Sequence, residues 1–247
     1  MKVFYVSRSK LLVAWIILGI ALLWFMVVSV KQPNMLDVFS SPANKKIIII
    51  DPGHGGFDSG ALSPSGTRED ELNLKVAKKL KQYLVDHNAT VILTRENDEG
   101  LASRKSDDMR KRVEIIRESN PDIVISIHMN KFPQTQYFGG QTFYMTGSEE
   151  GKKLAQSIQT RLVENLIEDN NRQIKSANNF LILKASSSPT VIVECGFLSN
   201  LKEEAMLKTD AYQDKIAWAI FNGILEYFSM EEELHWDGLP EPSLLPG

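Results

Sequence analysis

Cysteine is almost missing from this chain. Cys195 is the only one in 247 residues, which excludes an intramolecular disulfide. An excess of basic charge is missing as well: the formal net charge is −3. The first 30 residues hold Lys2, Arg8 and Lys10 and no acid, so they carry +3 and the remainder carries −6. An acidic body does not neutralise phosphates, which argues against nucleic acid as a partner. A polymeric anion would have to be read by a shaped site rather than captured by charge. The glycine-rich stretch Asp51-Pro52-Gly53-His54-Gly55-Gly56 matches neither G-x-x-x-x-G-K-[ST] nor G-x-G-x-x-G, so it is not a nucleotide-binding loop. No internal repeat is present.

Charge is also absent from Leu11 to Val30, LLVAWIILGIALLWFMVVSV. At about 1.5 Å per residue this run spans roughly 30 Å, the thickness of a bilayer core. The basic flank before it should stay in the cytoplasm, with the body on the outer face of the membrane. The run is longer than a signal-peptide core, and no A-x-A site follows it, which favours a retained anchor over a cleaved signal. The expected organisation is a cytoplasmic basic segment over 1–10, a transmembrane anchor over 11–30 and a linker over 31–44. A catalytic domain follows over 45–229. The acidic, then proline-rich stretch 230–247 reads as a disordered tail.

Within the body, strand-like and helix-like runs alternate. Ile47 to Ile50, Thr90 to Thr94, Asp122 to Met129, Gln141 to Tyr144 and Thr190 to Glu194 read as strands, several of them continuously apolar. Between them lie apolar stripes at helical spacing: Leu72, Val76, Leu80 and Leu84, then Met109, Val113 and Ile116, then Leu154, Ile158, Leu162 and Leu166. A last stripe holds Ile216, Ile220, Ile224 and Phe228. Thr67 with Asp70, and Asp210 with Gln213, have capping-box spacing ahead of the first and last helices. The pattern predicts an α/β fold, a mostly parallel sheet flanked by helices on both faces, preceded by one transmembrane helix.

In such sheets ligands gather at the carboxyl ends of the strands. The unusual polar residues stand there: His54 after the first strand, His128 and Asn130 closing the third, and Glu194 closing the last. Glu69 precedes the first helix. Two imidazoles and a carboxylate form a set suited to catalytic zinc, and equally to non-haem iron. A chain this long builds a core without structural metal, so a metal here would do chemistry. Arg95 and Arg112 are surface or structural arginines, or else forks for a substrate carboxylate, and Asn130 is a candidate substrate contact. His87, at a helix end, suits the helix dipole. Cys195 follows Glu194 on a strand and must point to the opposite face, into packing.

The blocks DPGHGGFDSGA, GTREDELNL, SIHMN and VIVECGFLSN, in this order, resemble the signature blocks of the zinc-dependent N-acetylmuramoyl-L-alanine amidases, the amidase-3 family. The resemblance runs from about Lys45 to Phe228. It implies one Zn2+ on His54, Glu69 and His128, and it selects Glu69 over Asp70 and Glu71. It implies Glu194 as the catalytic carboxylate and peptidoglycan as substrate, cut between the lactyl group of N-acetylmuramic acid and L-alanine. An anchor followed by a compact catalytic domain resembles the germination-specific members found in endospore formers, which act in the spore cortex. Vegetative autolysins and zinc peptidases of the wall peptide are the alternatives. An activator protein is a partner that some relatives require. The stretch from Phe132 to Gly140 is too short for the site-blocking helix of division amidases.

Overall fold

The structure is a computed structural model that describes residues 41–236, together with Ser9, Trp15, Ile17 to Ile20, Leu22 and Trp24 of the N-terminal stretch. The chain divides into two units, 1–38 and 39–247. The described residues of the first unit are helical. Among the described residues no helix is long and apolar enough to cross a membrane, and most of the expected anchor over 11–30 falls on residues outside those described.

The second unit is built on six strands: β1 (Ile47–Pro52), β2 (Thr90–Leu93), β3 (Ile123–Asn130), β4 (Gln141–Met145), β5 (Lys175–Ala177) and β6 (Thr190–Phe197). They form one sheet in the order β2-β1-β3-β6-β4-β5. β2, β1, β3 and β6 are parallel, whereas β4 runs antiparallel to β6 and β5 follows β4. Chain length explains the reversal. Residues 131–140 connect β3 to β4 without a helix, and a parallel return needs a crossover of a dozen residues or more.

Among the described residues of the unit there are five helices: α1 (Glu69–Asp86), α2 (Lys105–Ser119), α3 (Glu149–Asn165), α4 (Leu201–Leu207) and α5 (Asp210–Trp236). Side-chain alternation along the strands splits the core in two. Ile48, Ile50, Ile125, Ile127, Val191, Val193 and Cys195 face one way, into the larger cluster with α1, α3 and α5. Ile49, Val124 and Ile192 face the other way, against Ile116 of α2 and a single 3-10 turn at Ile182–Lys184. Cys195 therefore packs in the larger core, fully buried, as its strand position requires. Beyond Ile49, Val124 and Ile192 the same rows continue as Asp51, Ser126 and Glu194, which are polar.

Several boundaries and caps differ from expectation. Ser41 and Ala43, placed in the linker, are buried, and Ala43 joins the main core. Met230 to Trp236, placed in the tail, continue α5, while 237–247 lie outside the described residues. Thr67 does not cap α1. Its hydroxyl donates to Glu204 of α4 at 2.6 Å, alongside those of Ser63 and Ser65, so a long-range carboxylate outcompetes the local cap. At α5 it is Thr209 Oγ1 that accepts from the Tyr212 N–H at 3.3 Å, and Gln213 donates instead to the Leu207 carbonyl. The short elements β5 and α4 and the 3-10 turn carry no periodic signal long enough to read.

The polar row is anchored by Asp51, at the carboxyl end of β1 and 2% exposed. It accepts from Arg112 Nη1 at 2.7 Å, Thr94 Oγ1 at 2.6 Å and Ser126 Oγ at 2.8 Å. Burial alone would raise its carboxyl, but the Arg112 charge and the two hydroxyl hydrogen bonds outweigh it and hold the group below its ordinary range. Removing one partner of a buried pair strands the other. Asp51→Ala should lower unfolding free energy by about 3–5 kcal/mol in urea titrations. A depressed carboxyl stabilises above its unfolded pKa, about 3.9, and that contribution fades as pH falls through the lower folded value. Asp51→Asn should accordingly flatten the wild-type loss of stability below about pH 4; an unchanged acid slope would remove Asp51 from that account.

Candidate active site

Three elements deliver the metal-type ligands. Beyond β1 the chain turns at Gly53 and presents His54, whose φ of 63° lies in the left-handed region. The surrounding structure holds that conformation. Arg112 Nη2 donates to the His54 carbonyl at 2.5 Å, and the Gly53 carbonyl accepts from Arg95 Nη2 at 3.0 Å and Asn73 Nδ2 at 3.2 Å. Glu69 opens α1 with its carboxylate turned inward. Its Oε2 accepts from the Ala61 N–H at 2.7 Å, and its Oε1 accepts from the Met129 N–H at 3.1 Å and Asn73 Nδ2 at 3.3 Å. His128 comes from the end of β3, beside Glu194 of β6 in parallel register.

These atoms converge. Glu69 Oε1 lies 2.9 Å from His128 Nδ1 and 3.4 Å from His54 Nε2. One ligand atom from each of the three residues lies within 4.8 Å of the others. The two imidazoles meet edge to face, with centroids 5.0 Å apart. His54 Nδ1 contacts Asp58 Oδ2 at 3.0 Å, which orients the ring and leaves Nε2 for a cation. Burial alone would raise the Glu69 carboxyl, but hydrogen bonds and charge from His128 and His54 hold it well below the usual carboxylate range. Burial would lower the His54 imidazole, yet Glu69 and Asp58 raise it overall.

The donor set and the space fit a divalent transition metal. The His54 and His128 side chains are 19% and 22% exposed against 5% for Glu69, so the cluster is backed by protein on the carboxylate side and open on the imidazole side. A catalytic site needs that open position. Two glycines permit the approach. A Cβ on Gly53 would sit 2.2 Å from His128 Cε1, and one on Gly60 would sit 2.5 Å from Glu69 Oε2.

Glu194 stands apart from the cluster. The residue is half-buried, but its Oε2 is sealed from solvent and has no hydrogen-bond partner among the described residues. Such an oxygen costs folding free energy. Burial raises its carboxyl to about 7; His128 draws it down, Glu69 pushes it up and His54 draws it down. The fold leaves this group without a structural duty, which is what a proton-transfer group needs.

The two arginines that could have served as substrate forks are turned inward. Arg95 is 3% exposed and donates to the Pro52, Gly53, Asp70 and Asn97 carbonyls. Arg112 is 1% exposed and joins Asp51, Asp108, Pro52 and His54. Both brace the His54 loop, since a buried guanidinium must satisfy five donors. Asn130 lines a cavity beside the cluster. His87 bonds to the Tyr83 carbonyl and packs on Phe221, a structural placement. Sequence reading missed Asp58 and Asn73. Asn73 was within reach, being one helical turn from Glu69; Asp58 lies in an irregular loop, where spacing says nothing about direction.

A mostly parallel α/β sheet carrying a possible His-Glu-His metal site and an unpaired carboxylate at its carboxyl edge has the layout of a metal-dependent hydrolase. The family model described as N-acetylmuramoyl-L-alanine amidase, Amidase_3, matches residues 48–226. The germination-specific N-acetylmuramoyl-L-alanine amidase of Bacillus subtilis is 36% identical over 231 residues, covering 90% of this chain and 97% of that protein. The amidase LytC of the same organism is 35% identical over 81% of this chain and 38% of its own length. Among solved structures, the CwlD amidase of Clostridioides difficile, in complex with the GerS lipoprotein, superposes with a TM-score of 0.73 at 40% identity, covering 75% of this chain and all of that one. The chain belongs to the amidase-3 family of N-acetylmuramoyl-L-alanine amidases.

Substitution should separate ligands from their support. His128→Ala and Glu69→Ala should abolish stoichiometric zinc in metal analysis of folded protein. Asp58→Ala should keep the ligands but weaken zinc affinity about 10- to 100-fold in chelator competition. Unaltered affinity in the Asp58 variant would mean that the His54 ring is oriented by other contacts.

Proposed function

We propose that this protein hydrolyses the amide between the lactyl group of N-acetylmuramic acid and L-alanine in peptidoglycan, with one Zn2+ held by His54, Glu69 and His128. The observation that carries the reading is the unpartnered Oε2 of Glu194 next to a three-ligand cluster open on one side. Bound Zn2+ supplies Lewis acidity to the scissile carbonyl and the attacking water. Glu194 takes the proton of that water and returns it to the departing nitrogen of L-alanine, acting as general base and then general acid. Asp58 and Asn73 keep His54 and Glu69 in place, and Arg95 and Arg112 hold the loop backbone.

The setting we propose is the outer face of a membrane in sporulating cells, with the 11–30 segment as anchor and action on spore cortex peptidoglycan in muramic-lactam formation. The germination-specific relative, similar over nearly its whole length, supports this setting, and the GerS complex of the clostridial neighbour supports a lipoprotein as partner. The likeness to LytC supports the second reading, a vegetative wall autolysin.

Purified peptidoglycan digested with the protein should gain free lactyl carboxylates and L-alanine amino termini, and chelator should abolish the gain. New ends inside the peptide stem would make it a peptidase and overturn the reading. Glu194→Gln should retain zinc while turnover drops about 10²- to 10⁴-fold. Cortex from a strain lacking the protein should lose muramic lactam if the spore setting holds, and keep it if the enzyme serves the vegetative wall.

A further inference from the structure

The row that holds the catalytic carboxylate does not stop at Glu194. Gln141 of β4 lies directly opposite Glu194 in antiparallel register, so both side chains share one face. Phe143, two residues on, shares that face and pairs with Lys175 of β5. Over this part of the sheet lies a cavity of about 250 Å³. Its lining includes Asn130, Gln141, Arg172, Lys175 and Phe197. The cavity thus continues the active-site face outward, past β6 toward the sheet edge.

Two cations stand in it, and no carboxylate lines it. Arg172 is fixed from below. Its Nε donates to the Phe138 carbonyl at 2.7 Å, its Nη1 lies 3.3 Å from Gln141 Oε1, and its guanidinium lies over the Phe197 ring at 4.4 Å. Its Nη2 has no hydrogen bond among the described residues. Burial lowers its pKa, with Glu203 opposing, but an arginine stays charged regardless. Lys175 is exposed, lies 5.9 Å over the Phe143 ring and has no ion pair among the described residues. Phe197 and Phe143 each lie under a cation, whereas Phe132 and Tyr137, which also line the cavity, keep exposed ring surface at its rim. In a body that is acidic overall, two adjacent cations with donors to spare select an anion.

We propose that this cavity is a carboxylate subsite for the stem peptide, in which Arg172 and Lys175 bind the free α-carboxylate of the residue that follows L-alanine. The proposal rests on the amidase reading above and names the part of the substrate that Glu194 does not touch. Distance agrees. Neighbouring strands are about 5 Å apart, so β4 and β5 lie about 5 and 10 Å from β6. A residue beyond the scissile nitrogen reaches about 7 Å in an extended chain. In peptidoglycan that residue is D-glutamate joined through its γ-carboxyl, which leaves the α-carboxylate free or, in some walls, amidated. The subsite therefore distinguishes the free acid from the amide, a difference of one full charge.

The test uses the full-length zinc enzyme and two muropeptides that differ only there, one ending in L-alanyl-D-isoglutamate and one in L-alanyl-D-isoglutamine. The acid should be favoured by a KM about tenfold lower or more, as expected for charge-assisted hydrogen bonds. Lys175→Gln and Arg172→Gln should each shrink that ratio toward one, with the change in KM and not in kcat. Equal KM values for wild type, or a ratio unmoved by both variants, overturns the subsite. Should Arg172→Gln fail to fold, Lys175→Gln alone decides, because that side chain is exposed. Should neither muropeptide be cut, the amidase reading fails separately, and calorimetry with the two free dipeptides decides. Tighter binding of the acid, weakened in Lys175→Gln, upholds the subsite; equal binding removes it.

Discussion

The site depends on one buried ion pair. Asp51 closes the apolar run of β1, a strand enclosed by neighbours on both sides, and its buried carboxylate is satisfied by the protein's own donors. Arg112 supplies the charge that makes its burial tolerable. Because a guanidinium is a rigid fork with five donors, satisfying Asp51 with one arm leaves the others to be satisfied close by. They find Asp108, the Pro52 carbonyl and the His54 carbonyl. The pair that lets a polar residue end a buried strand is thereby the clamp on the loop that presents the first metal ligand. It also joins α2 to β1, so the second face of the sheet and the metal loop are set by the same contact.

From that clamp the carboxyl edge of the sheet is assembled in two tiers. The inner tier is largely satisfied: Asp51 binds Thr94, Ser126 and Arg112, while Arg95, Arg112 and Asn73 Nδ2 hold backbone carbonyls and, among the described residues, Asn73 Oδ1 has no partner. The outer tier is left short of partners. Two imidazole nitrogens crowd one oxygen of Glu69, and Glu194 Oε2 has none. Local deficits of this kind destabilise the fold and mark where it has been arranged for a reaction. The rest of the sheet can carry the deficit, since its strands are packed by two separate apolar clusters.

Much of this was legible in the order of residues. Four-residue stripes located the four long helices, and β-branched runs located the longer strands, because each pattern reflects a single periodic geometry meeting one apolar face. The ligand residues were legible as polar groups ending apolar strands, and the quoted blocks singled out Glu69 among three neighbouring acids. For Arg95 and Arg112 the sequence left a substrate fork and a structural role both open, and the structure gives them the structural one. A sequence shows that an arginine ends a strand or opens a helical stripe, but it does not show that buried carbonyls and Asp51 wait for it. Thr67 was misjudged as a cap for the same reason, since its competitor, Glu204, lies 137 residues away.

By itself, the sequence determined the class of fold, a possible metal-holding set and the apolar N-terminal run, because those follow from local periodicity and side-chain chemistry; the choice of Glu69 within that set came from the family resemblance. Only the tertiary structure decided which partners those residues keep. It put His54 in a left-handed turn braced from below, turned Glu69 inward under two imidazoles, left Glu194 Oε2 unpaired, and brought Arg172 and Lys175 from a loop and a short edge strand onto the catalytic face. Each of these depends on segments far apart in the chain. No local pattern encodes such contacts; they form because burying the apolar faces leaves the polar ends of the strands only one another to satisfy.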